Sequence, residues 1–342
     1  MDSPLLARPG AVANEGPDAG VAAHYGNLYS EQRALATAAG MVDRSHRGVV
    51  RITGEDRLSW LHTLTTQDLE HLAQGQTAQA LVLSPNGHVE HQLTVTDDGT
   101  ALWAHLEPGT AGQLLEFLQS MRFLLRVEPA DVTTEFAVLT LMGPDAPPAL
   151  PDGAVTAMRD SFAADLIVAR GQLTQVVDDL AGQGVALAGL HAYEALRIAA
   201  HRPRLGLDTD HRTIPHEVGW IGTAVHLDKG CYRGQETVAR VHNLGHPPRR
   251  LVFLHLDGSE ERLPRPGDPV TMGDATVGFT GSAARHYELG PIALAVIKRT
   301  VPVDAALRAG GLPAAQEVIV PPDAGANVKV TLKRPRGVLG GR

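Results

Sequence analysis

Hydrophobic and polar residues alternate along the first third of the chain in the manner of paired strands. Residues 48–52 have strand composition, and Thr53 offers a helix N-cap with an acid three residues on and leucines at helical spacing after it. An Asn-Gly and an Asp-Gly turn then separate three apolar runs, at residues 80–83, 89–96 and 102–104. Such turns between alternating runs are typical of hairpins, so the pattern predicts a three-stranded antiparallel meander.

The middle strand of this meander is predicted to have two unlike faces. Because alternate side chains of a strand point to opposite faces, one face should carry Val89, His91, Leu93 and Val95 and the other Glu90, Gln92, Thr94 and Thr96. His91 is therefore expected among apolar neighbours.

Later segments alternate between strand-like and helical patterns, with helical spacing around Leu114 and Val176 and strand-like runs at residues 136–141 and 166–169. No βαβ glycine fingerprint accompanies them, which favours an α+β fold over a Rossmann sheet. A helix over about residues 190–200 would place Tyr193 and Arg197 on one face. An Arg on such a face needs an anion, either an acid of the chain or the carboxylate of a ligand.

After about residue 246 the pattern changes to short strand candidates separated by Gly, Pro or Asp. They lie at residues 251–256, 269–272, 275–279, 292–298 and 328–332. This pattern predicts a separate small barrel or sandwich. Residues 1–24, rich in Ala, Gly and Pro, are expected to be a flexible leader and not a signal peptide.

Composition excludes several classes of protein. The 342 residues carry a net charge of −8, which does not suit non-specific binding to a phosphate backbone, and aromatic residues make up only 4%. The longest apolar stretch, residues 291–297, is far shorter than the roughly 20 residues that cross a bilayer. With Cys231 as the only cysteine, no internal disulfide can form, and a cytoplasmic location without membrane or nucleic-acid partners is expected.

The densest cluster of candidate chemistry surrounds that cysteine. Lys229 and Arg233 flank Cys231 and would favour its thiolate, and a helix beginning near Gln235 would add its dipole. The alternative is an inert, buried cysteine. His242 and His246 offer two more metal-ligand types, but Gly245 and Pro247 break any helix there, so a solvated pair is favoured over a metal site.

The run Lys229-Gly230-Cys231-Tyr232-Arg233-Gly234-Gln235-Glu236 resembles the K-G-C-[FY]-x-G-Q-E signature of the YgfZ-type folate-binding proteins, which are similar to the T-protein of the glycine cleavage system. Residues 41–45, with Asp43, resemble that superfamily's amino-terminal strand, and residues 193–200 resemble its central helix. The resemblance covers about residues 25–335. It implies a ring of two interleaved α+β lobes over residues 25–245, a C-terminal β-barrel over 246–336 and a tail at 337–342.

The resemblance also implies a cavity for tetrahydrofolate or a derivative, with Asp43, Tyr193 and Arg197 as candidate folate contacts and Cys231 and Lys229 as the reactive pair beside it. It implies a role in making or repairing iron–sulfur enzymes. Two departures separate the chain from the T-protein branch. The T-protein's Asp pair corresponds to His91 and Gln92, and its pterin-binding Glu corresponds to Ala199.

Three functional hypotheses follow. The first is a folate-binding accessory factor for iron–sulfur cluster assembly or repair, whose partners are iron–sulfur enzymes or cluster carriers. One cysteine cannot hold a cluster alone, because clusters usually take four protein ligands. The second is a folate-dependent one-carbon transferase with its acid–base groups elsewhere. The third is a thiol redox enzyme, which the lack of a second, resolving cysteine disfavours.

Overall fold

A computed structural model describes residues 1–327. The α-helices are α1 (Leu28–Thr37), α2 (Arg57–Leu64), α3 (Ala111–Ser120), α4 (Leu173–Gly182), α5 (Leu190–Ala199) and α6 (Gln235–Asn243). The strands before α6 are β1 (Val12–Ala13), β2 (Ala22–His24), β3 (Gly40–Asp43), β4 (Gly48–Thr53), β5 (Thr77–Leu83), β6 (Val89–Asp97), β7 (Ala101–Leu106), β8 (Glu128–Asp131), β9 (Phe136–Met142), β10 (Ala154–Arg159), β11 (Ala164–Ala169) and β12 (Ala186–Ala188). Those after it are β13 (Arg249–Leu256), β14 (Pro269–Met272), β15 (Ala275–His286), β16 (Gly290–Lys298), β17 (Leu307–Ala309) and β18 (Leu312–Val318).

The first five-stranded sheet has the order β5-β6-β7-β4-β8, and its neighbouring strands are antiparallel. It contains the predicted meander, which is confirmed. Helices α2 and α3 cover one face of the sheet, where Leu61, Leu93 and Leu114 belong to one buried cluster. Burying that face leaves the opposite face, with its polar side chains, to line the interior of the molecule.

The second five-stranded sheet interleaves with the first along the chain. Its order is β10-β11-β9-β3-β12, with β12 parallel to β3 and the other pairs antiparallel. The chain therefore contributes β3 to this sheet, builds the first sheet from β4 to β8, and returns for β9 to β12. Helix α4 packs on it through Val176, Val177 and Leu180. The predicted α+β class with two interleaved lobes is confirmed, because the sheets are mostly antiparallel and the chain leaves the second sheet after β3 and returns to it at β9.

Strands β13 to β18 close into a barrel with the order β13-β16-β15-β14-β17-β18. Its interior contains Val252, Val270, Ala293 and Ile297. The prediction of a C-terminal β-barrel is confirmed, and closure leaves no free sheet edge for association with other chains. The predicted strand at residues 328–332 and the predicted tail at 337–342 lie outside the described residues, and the domain bounds 25–245 and 246–336 stay predictions.

The amino-terminal segment differs from the flexible leader that its composition predicts. Leu5 and Val21 are completely buried, β1 pairs with β2, and Arg8 forms an ion pair with Asp178. Asp18, from the same segment, forms an ion pair with the buried Arg204. Local composition therefore misled here, because the segment gains order from distant residues and not from its own sequence.

A β-bulge corrects the simple alternation predicted for β6. Val82 pairs with His91, but Leu83 pairs with Val89, so Glu90 is an extra residue in β6. As a result Val89 packs with Leu83 in one buried cluster, whereas Leu93 and Val95 belong to the cluster on the other face of the sheet. The bulge moves the residues before it to the opposite face from the one that strict alternation predicts.

Candidate functional site: a central cavity and the Cys231 loop

A cavity of about 220 Å³ lies where the two sheets meet the segment that leads into the barrel. Residues from the first sheet (Gln79, Gln92, Thr94), the second sheet (Met158, Asp165) and the connecting segment (Trp220, Thr223) line it. A wider opening of about 530 Å³ shares Thr77, Gln79, Thr94 and Arg202 with the cavity and continues past Asp68 and His226. The cavity is therefore assembled from parts of the chain that are far apart in sequence.

The polar face of β6 points into this cavity. Gln92 and Thr94 line it, whereas His91 is buried and does not. Burial lowers the pKa of His91 to about 4, so the ring is neutral at physiological pH. His91 shares its face of the sheet with Val82 and Leu93, so the expectation that it lies among apolar neighbours is confirmed. Of the two residues that the resemblance aligns with the T-protein's Asp pair, only Gln92 faces the cavity.

A network of buried ion pairs forms one wall of the cavity, and Arg204 is its centre. Its guanidinium lies 2.8 Å from Asp18, 2.7 Å from Glu107 and 3.2 Å from Glu194. Arg47 also contacts Glu107, at 2.8 Å. Although burial alone would raise it, these arginines hold the pKa of Glu107 well below its usual range. Glu107 is therefore ionised and is not a proton donor near neutral pH.

The network continues through His105 to the second sheet. Arg47 Nε donates to His105 Nδ1 at 3.0 Å, and His105 Nε2 lies 2.8 Å from Asp165. Since Nδ1 accepts, the ring proton belongs on Nε2, facing the carboxylate. Arg44 contacts the same carboxylate at 3.0 Å. Burial opposes ionisation of Asp165, but Arg44 and His105 outweigh it and lower the pKa of Asp165.

The third acid of the cavity, Asp160, is also paired, with Arg202. Each cavity carboxylate of the described residues is thus held by a cation, which suits binding better than general acid–base catalysis. Aromatic surface comes from Phe162, Tyr193 and Trp220. The Phe162 and Tyr193 rings meet edge to face at 5.8 Å, and Arg44 lies 4.4 Å from the centre of the Tyr193 ring.

The three predicted folate contacts have different positions. Tyr193 and Arg197 line the cavity. Asp43 is not among the lining residues: it accepts hydrogen bonds from Ser3 Oγ and from the Ser45 amide at 2.9 Å. Arg197 finds its anions within the chain, since it pairs with Glu194 at 2.6 Å and with Asp208 at 3.1 Å. Its guanidinium therefore helps to build the wall and is not free to hold a ligand carboxylate.

Cys231 is exposed, on a loop that is anchored on both sides. On one side Lys229 is buried, and its ammonium donates to the carbonyls of His62, Thr65 and Gln67, the latter two at 2.5 and 3.2 Å. These carbonyls lie at the C-terminal end of α2 and just beyond it, where a cation is favourable. Burial lowers the pKa of Lys229 to about 8.

On the other side of Cys231, Tyr232 is buried in the cluster that includes Leu83 and Leu251, and Arg233 pairs with Glu90 at 2.9 Å. Gly234 has φ +81° and lies so close to the β5–β6 turn that a Cβ there would be 2.6 Å from the Ser84 carbonyl oxygen. Gly230 has open space around it. Only Gly234 is therefore a backbone requirement.

The structure thus differs from the predicted thiolate site in the charges around the thiol and in the position of the thiol relative to the cavity. Lys229 is not a surface cation beside the thiol but a buried anchor of the loop, and Arg233 is engaged by Glu90. Cys231 is also absent from the residues that line the cavity or its opening, so the thiol is not part of the cavity wall. The predicted helix start is confirmed: α6 begins at Gln235, followed by Glu236 in its first turn.

The sequence pattern did not single out Arg44, Arg47, Glu107, Asp165 and Arg204, which form most of the ion-pair wall of the cavity. The signal was weak: only Glu107 and Asp165 adjoin apolar runs. The partners lie 60 positions apart for Arg47–Glu107 and 121 for Arg44–Asp165. His246 binds the Ala324 carbonyl at 2.9 Å. Within residues 1–327, His, Cys, Asp and Glu form no group of three that could hold a metal ion, and no helix has the length and apolarity to span a bilayer.

Comparison with known proteins identifies the family. The model of the GCVT N-terminal domain matches residues 9–164. An aminomethyltransferase of Rubrobacter xylanophilus is 30% identical over 292 residues, which are 78% of this chain and 77% of that protein. The chain belongs to the aminomethyltransferase family. A chloroplastic protein of Arabidopsis thaliana named as a transferase is 27% identical over 284 residues, 74% of this chain and 65% of that protein, so the chain spans less than two thirds of this relative.

The fold agrees with this family. The glycine cleavage system aminomethyltransferase T from Bartonella henselae has a TM-score of 0.79 to this chain at 16% identity, and the match covers 93% of this chain and 96% of that one. At such low identity the likeness concerns the fold, which is that of a T-protein with its C-terminal barrel.

Proposed function

We propose that this member of the aminomethyltransferase family is a folate-binding accessory factor of the YgfZ type, which supports iron–sulfur cluster assembly or repair in the cytoplasm. The central cavity would bind tetrahydrofolate or a derivative. Cys231 would act separately, at the surface, towards an iron–sulfur enzyme or a cluster carrier. The full eight-residue run from Lys229 to Glu236, which resembles the YgfZ signature, motivates the finer assignment.

The residues of the cavity suit a folate. Gln79 and Gln92 offer amide donors and acceptors for a heterocycle edge, and Phe162, Tyr193 and Trp220 offer aromatic surface. Arg202 pairs with Asp160 but, unlike the buried Arg197, is 32% exposed near the wider opening, so it would also contact an acidic tail there. A bound folate would supply a one-carbon carrier, while these residues bind and orient it.

One observation favours binding over group transfer. At the two positions that the resemblance aligns with the T-protein's Asp pair, the residue that faces the cavity is Gln92, which has an amide and no carboxylate. Glu107, Asp160 and Asp165 do not replace it, because each is paired with arginine. A carboxylate that is held by a guanidinium is a poor base near neutral pH. The alternative, a folate-dependent aminomethyl-type transferase, needs a base, and none of the three cavity carboxylates is free to serve as one.

The exposure of Cys231 supports a role towards a macromolecular partner. The loop is held by the buried side chains of Lys229 and Tyr232 and by the close approach of Gly234 to the β5–β6 turn. The thiol therefore has a defined position at the surface. Because one cysteine supplies only one of the usual four cluster ligands, a partner would supply the others. The exposed thiol also fits the third hypothesis, a thiol redox enzyme, although this chain has no second cysteine to resolve an oxidised form.

Anaerobic calorimetry with tetrahydrofolate tests the cavity. We expect saturable binding by the wild type and at least tenfold weaker binding by Gln92→Leu, since the amide is replaced by an apolar side chain. Gln183→Leu is the matched control, because Gln183 is exposed at the end of α4, and it should bind like the wild type. If wild-type protein does not bind tetrahydrofolate, the folate assignment is wrong.

A coupled assay that supplies an aminomethyl donor and tetrahydrofolate separates binding from transfer. The wild type should show no transfer above the enzyme-free rate. Transfer that Gln92→Leu abolishes and Cys231→Ser preserves would establish the transferase alternative.

The role of Cys231 is tested in cells that lack the endogenous protein, by comparing iron–sulfur enzymes with metal-free enzymes of the same cells. Cys231→Ser should fail to restore the iron–sulfur activities and leave the others unchanged. The matched control Ser259→Ala changes an exposed loop residue of the barrel and should restore them. Full restoration by Cys231→Ser would remove the thiol from the proposed function, while the calorimetric result would stand.

A further inference from the structure

A second cavity, of about 490 Å³, lies between the amino-terminal segment, helices α1 and α5, and the barrel. Its walls are mainly apolar, with four leucines, three prolines and two alanines: Leu28, Leu190, Leu207, Leu263, Pro17, Pro264, Pro266, Ala283 and Ala284. Concave apolar surfaces of this size with a few polar groups are typical of sites for small molecules. We call it the amino-terminal pocket.

The ion-pair wall separates this pocket from the central cavity. Asp18 and Glu194 line the amino-terminal pocket, whereas their common partner Arg204 lines the central cavity. Ser282, which accepts a hydrogen bond from Arg197 at 2.7 Å, also lines the pocket. The two cavities therefore lie on opposite sides of one network.

The charges of this network do not balance. Its carboxylates are those of Asp18, Glu107, Asp165, Glu194 and Asp208, and its guanidiniums are those of Arg44, Arg47, Arg197 and Arg204. Its two histidines, His46 and His105, have pKa values that burial lowers, so they are neutral at pH 7. One negative charge is left without a counter-charge, and two of the carboxylates are on the pocket side.

The other titratable groups around the pocket do not neutralise this excess. His191 also lines the pocket, but burial lowers its pKa, so its ring is neutral at pH 7. Glu31 is buried nearby and accepts hydrogen bonds from the amides of Tyr25 and Gly189, both at 2.8 Å, so it adds a further negative charge. Glu15 and Arg285 both line the pocket, and their opposite charges offset each other. A buried, uncompensated negative charge beside an apolar surface is costly and favours a cation.

From these observations we infer that the amino-terminal pocket binds a small organic cation, an aliphatic amine whose apolar body packs on the leucines and whose ammonium group offsets the excess negative charge on the side of the network that carries Asp18 and Glu194. A carboxylic acid of the same size would meet an excess of like charge. A neutral alcohol would fill the apolar space without the electrostatic gain. The inference is independent of the proposed folate function, because it concerns another cavity.

Cyclohexylamine and cyclohexanol test this inference, since they share one shape and differ in charge at pH 7. Ligand-observed NMR titration of the full chain suits the weak affinities of such small probes. We expect the amine to bind at least tenfold more tightly than the alcohol, and cyclohexanecarboxylate to bind least. Equal binding of amine and alcohol, or no binding of the amine, would overturn the inference.

Variants assign the binding to this pocket. Ala284→Phe should abolish amine binding by filling the space, and Glu194→Gln should reduce the preference for amine over alcohol at least fivefold. Because Glu194 supports Arg197 and Arg204, Leu28→Arg is a second charge variant outside the network, with the same expected result. Glu116→Gln, the control, removes an exposed carboxylate on α3 that lines neither cavity and should change binding less than twofold. Amine binding that survives Ala284→Phe but not Gln92→Leu would place the amine in the central cavity and refute the inference.

Discussion

The central cavity and the Cys231 loop both contain cations beside groups that could react, but they use those cations differently. In the cavity, Arg204 and Arg47 are paired with carboxylates, and the pairs are buried. At the loop, Lys229 turns inward to backbone carbonyls and leaves the exposed Cys231 without its ammonium group. In the cavity the charged side chains form buried ion pairs that line it, and at the loop the charged side chain fixes the position of the backbone.

This difference shows that charge near a nucleophile in sequence does not define its electrostatic environment. A lysine side chain is long enough to reach away from its neighbours, and it goes where acceptors are available. The free carbonyls at the end of α2 are such acceptors. The reactive character of each region therefore depends on which charges remain unpaired after folding.

The largest effect is expected from breaking the cavity wall. Arg204→Met leaves Asp18, Glu107 and Glu194 buried without their shared cation and should lower the free energy of unfolding by about 3–5 kcal/mol. Urea denaturation followed by circular dichroism measures it. Arg240→Met removes a surface pair and should cost less than about 1 kcal/mol. Equal losses in the two variants would mean that the wall contributes no more than a surface pair.

Gly234→Ala should have the next largest effect, because φ is +81° and the new Cβ would collide with the Ser84 carbonyl oxygen. We expect a loss of about 1–3 kcal/mol. Gly230→Ala, in open space of the same loop, should be neutral or slightly stabilising. Thermal unfolding of the two variants compares them directly. A Gly230→Ala variant less stable than Gly234→Ala would contradict the geometry of the loop.

Lys229→Met keeps the length of the side chain and removes the ammonium group from the α2 carbonyls. Leaving these carbonyls without a donor should cost about 1–2 kcal/mol. The rate of alkylation of Cys231 by iodoacetamide, measured on the folded protein, should change less than twofold. A large drop in that rate with unchanged stability would restore Lys229 as a charge partner of the thiol.

The smallest effect is expected for Arg233→Ala, whose pair with Glu90 is partly exposed, at 34% for the arginine and 40% for the glutamate. Such pairs contribute roughly 0.2–1 kcal/mol, and salt weakens them. The difference from the wild type in chemical denaturation should therefore shrink at high salt. A loss that is independent of salt would point instead to the packing of Arg233 on Phe117.

Much of the fold could be predicted because its signals are local. The turns between β5, β6 and β7, the helical spacing of α2 and the start of α6 each depend on neighbouring residues. The bulge at Glu90 could not be predicted in the same way, because it depends on how β6 pairs with β5. The position of residues 1–24 depends on burial of Leu5 and Val21 in distant clusters.

The candidate site also has features that the sequence predicts and features that it does not. The sequence alone determined the succession of strands and helices, the single thiol and the glycine-rich run around it, because these are properties of composition and short-range spacing. Only the tertiary structure decided that Lys229 anchors the loop, that Gln92 and not His91 faces the cavity, and that Arg204 joins three carboxylates. The physical reason is that an ion pair or a buried hydrogen bond joins groups by distance in space, and folding brings together Asp18 and Arg204 from positions 186 residues apart.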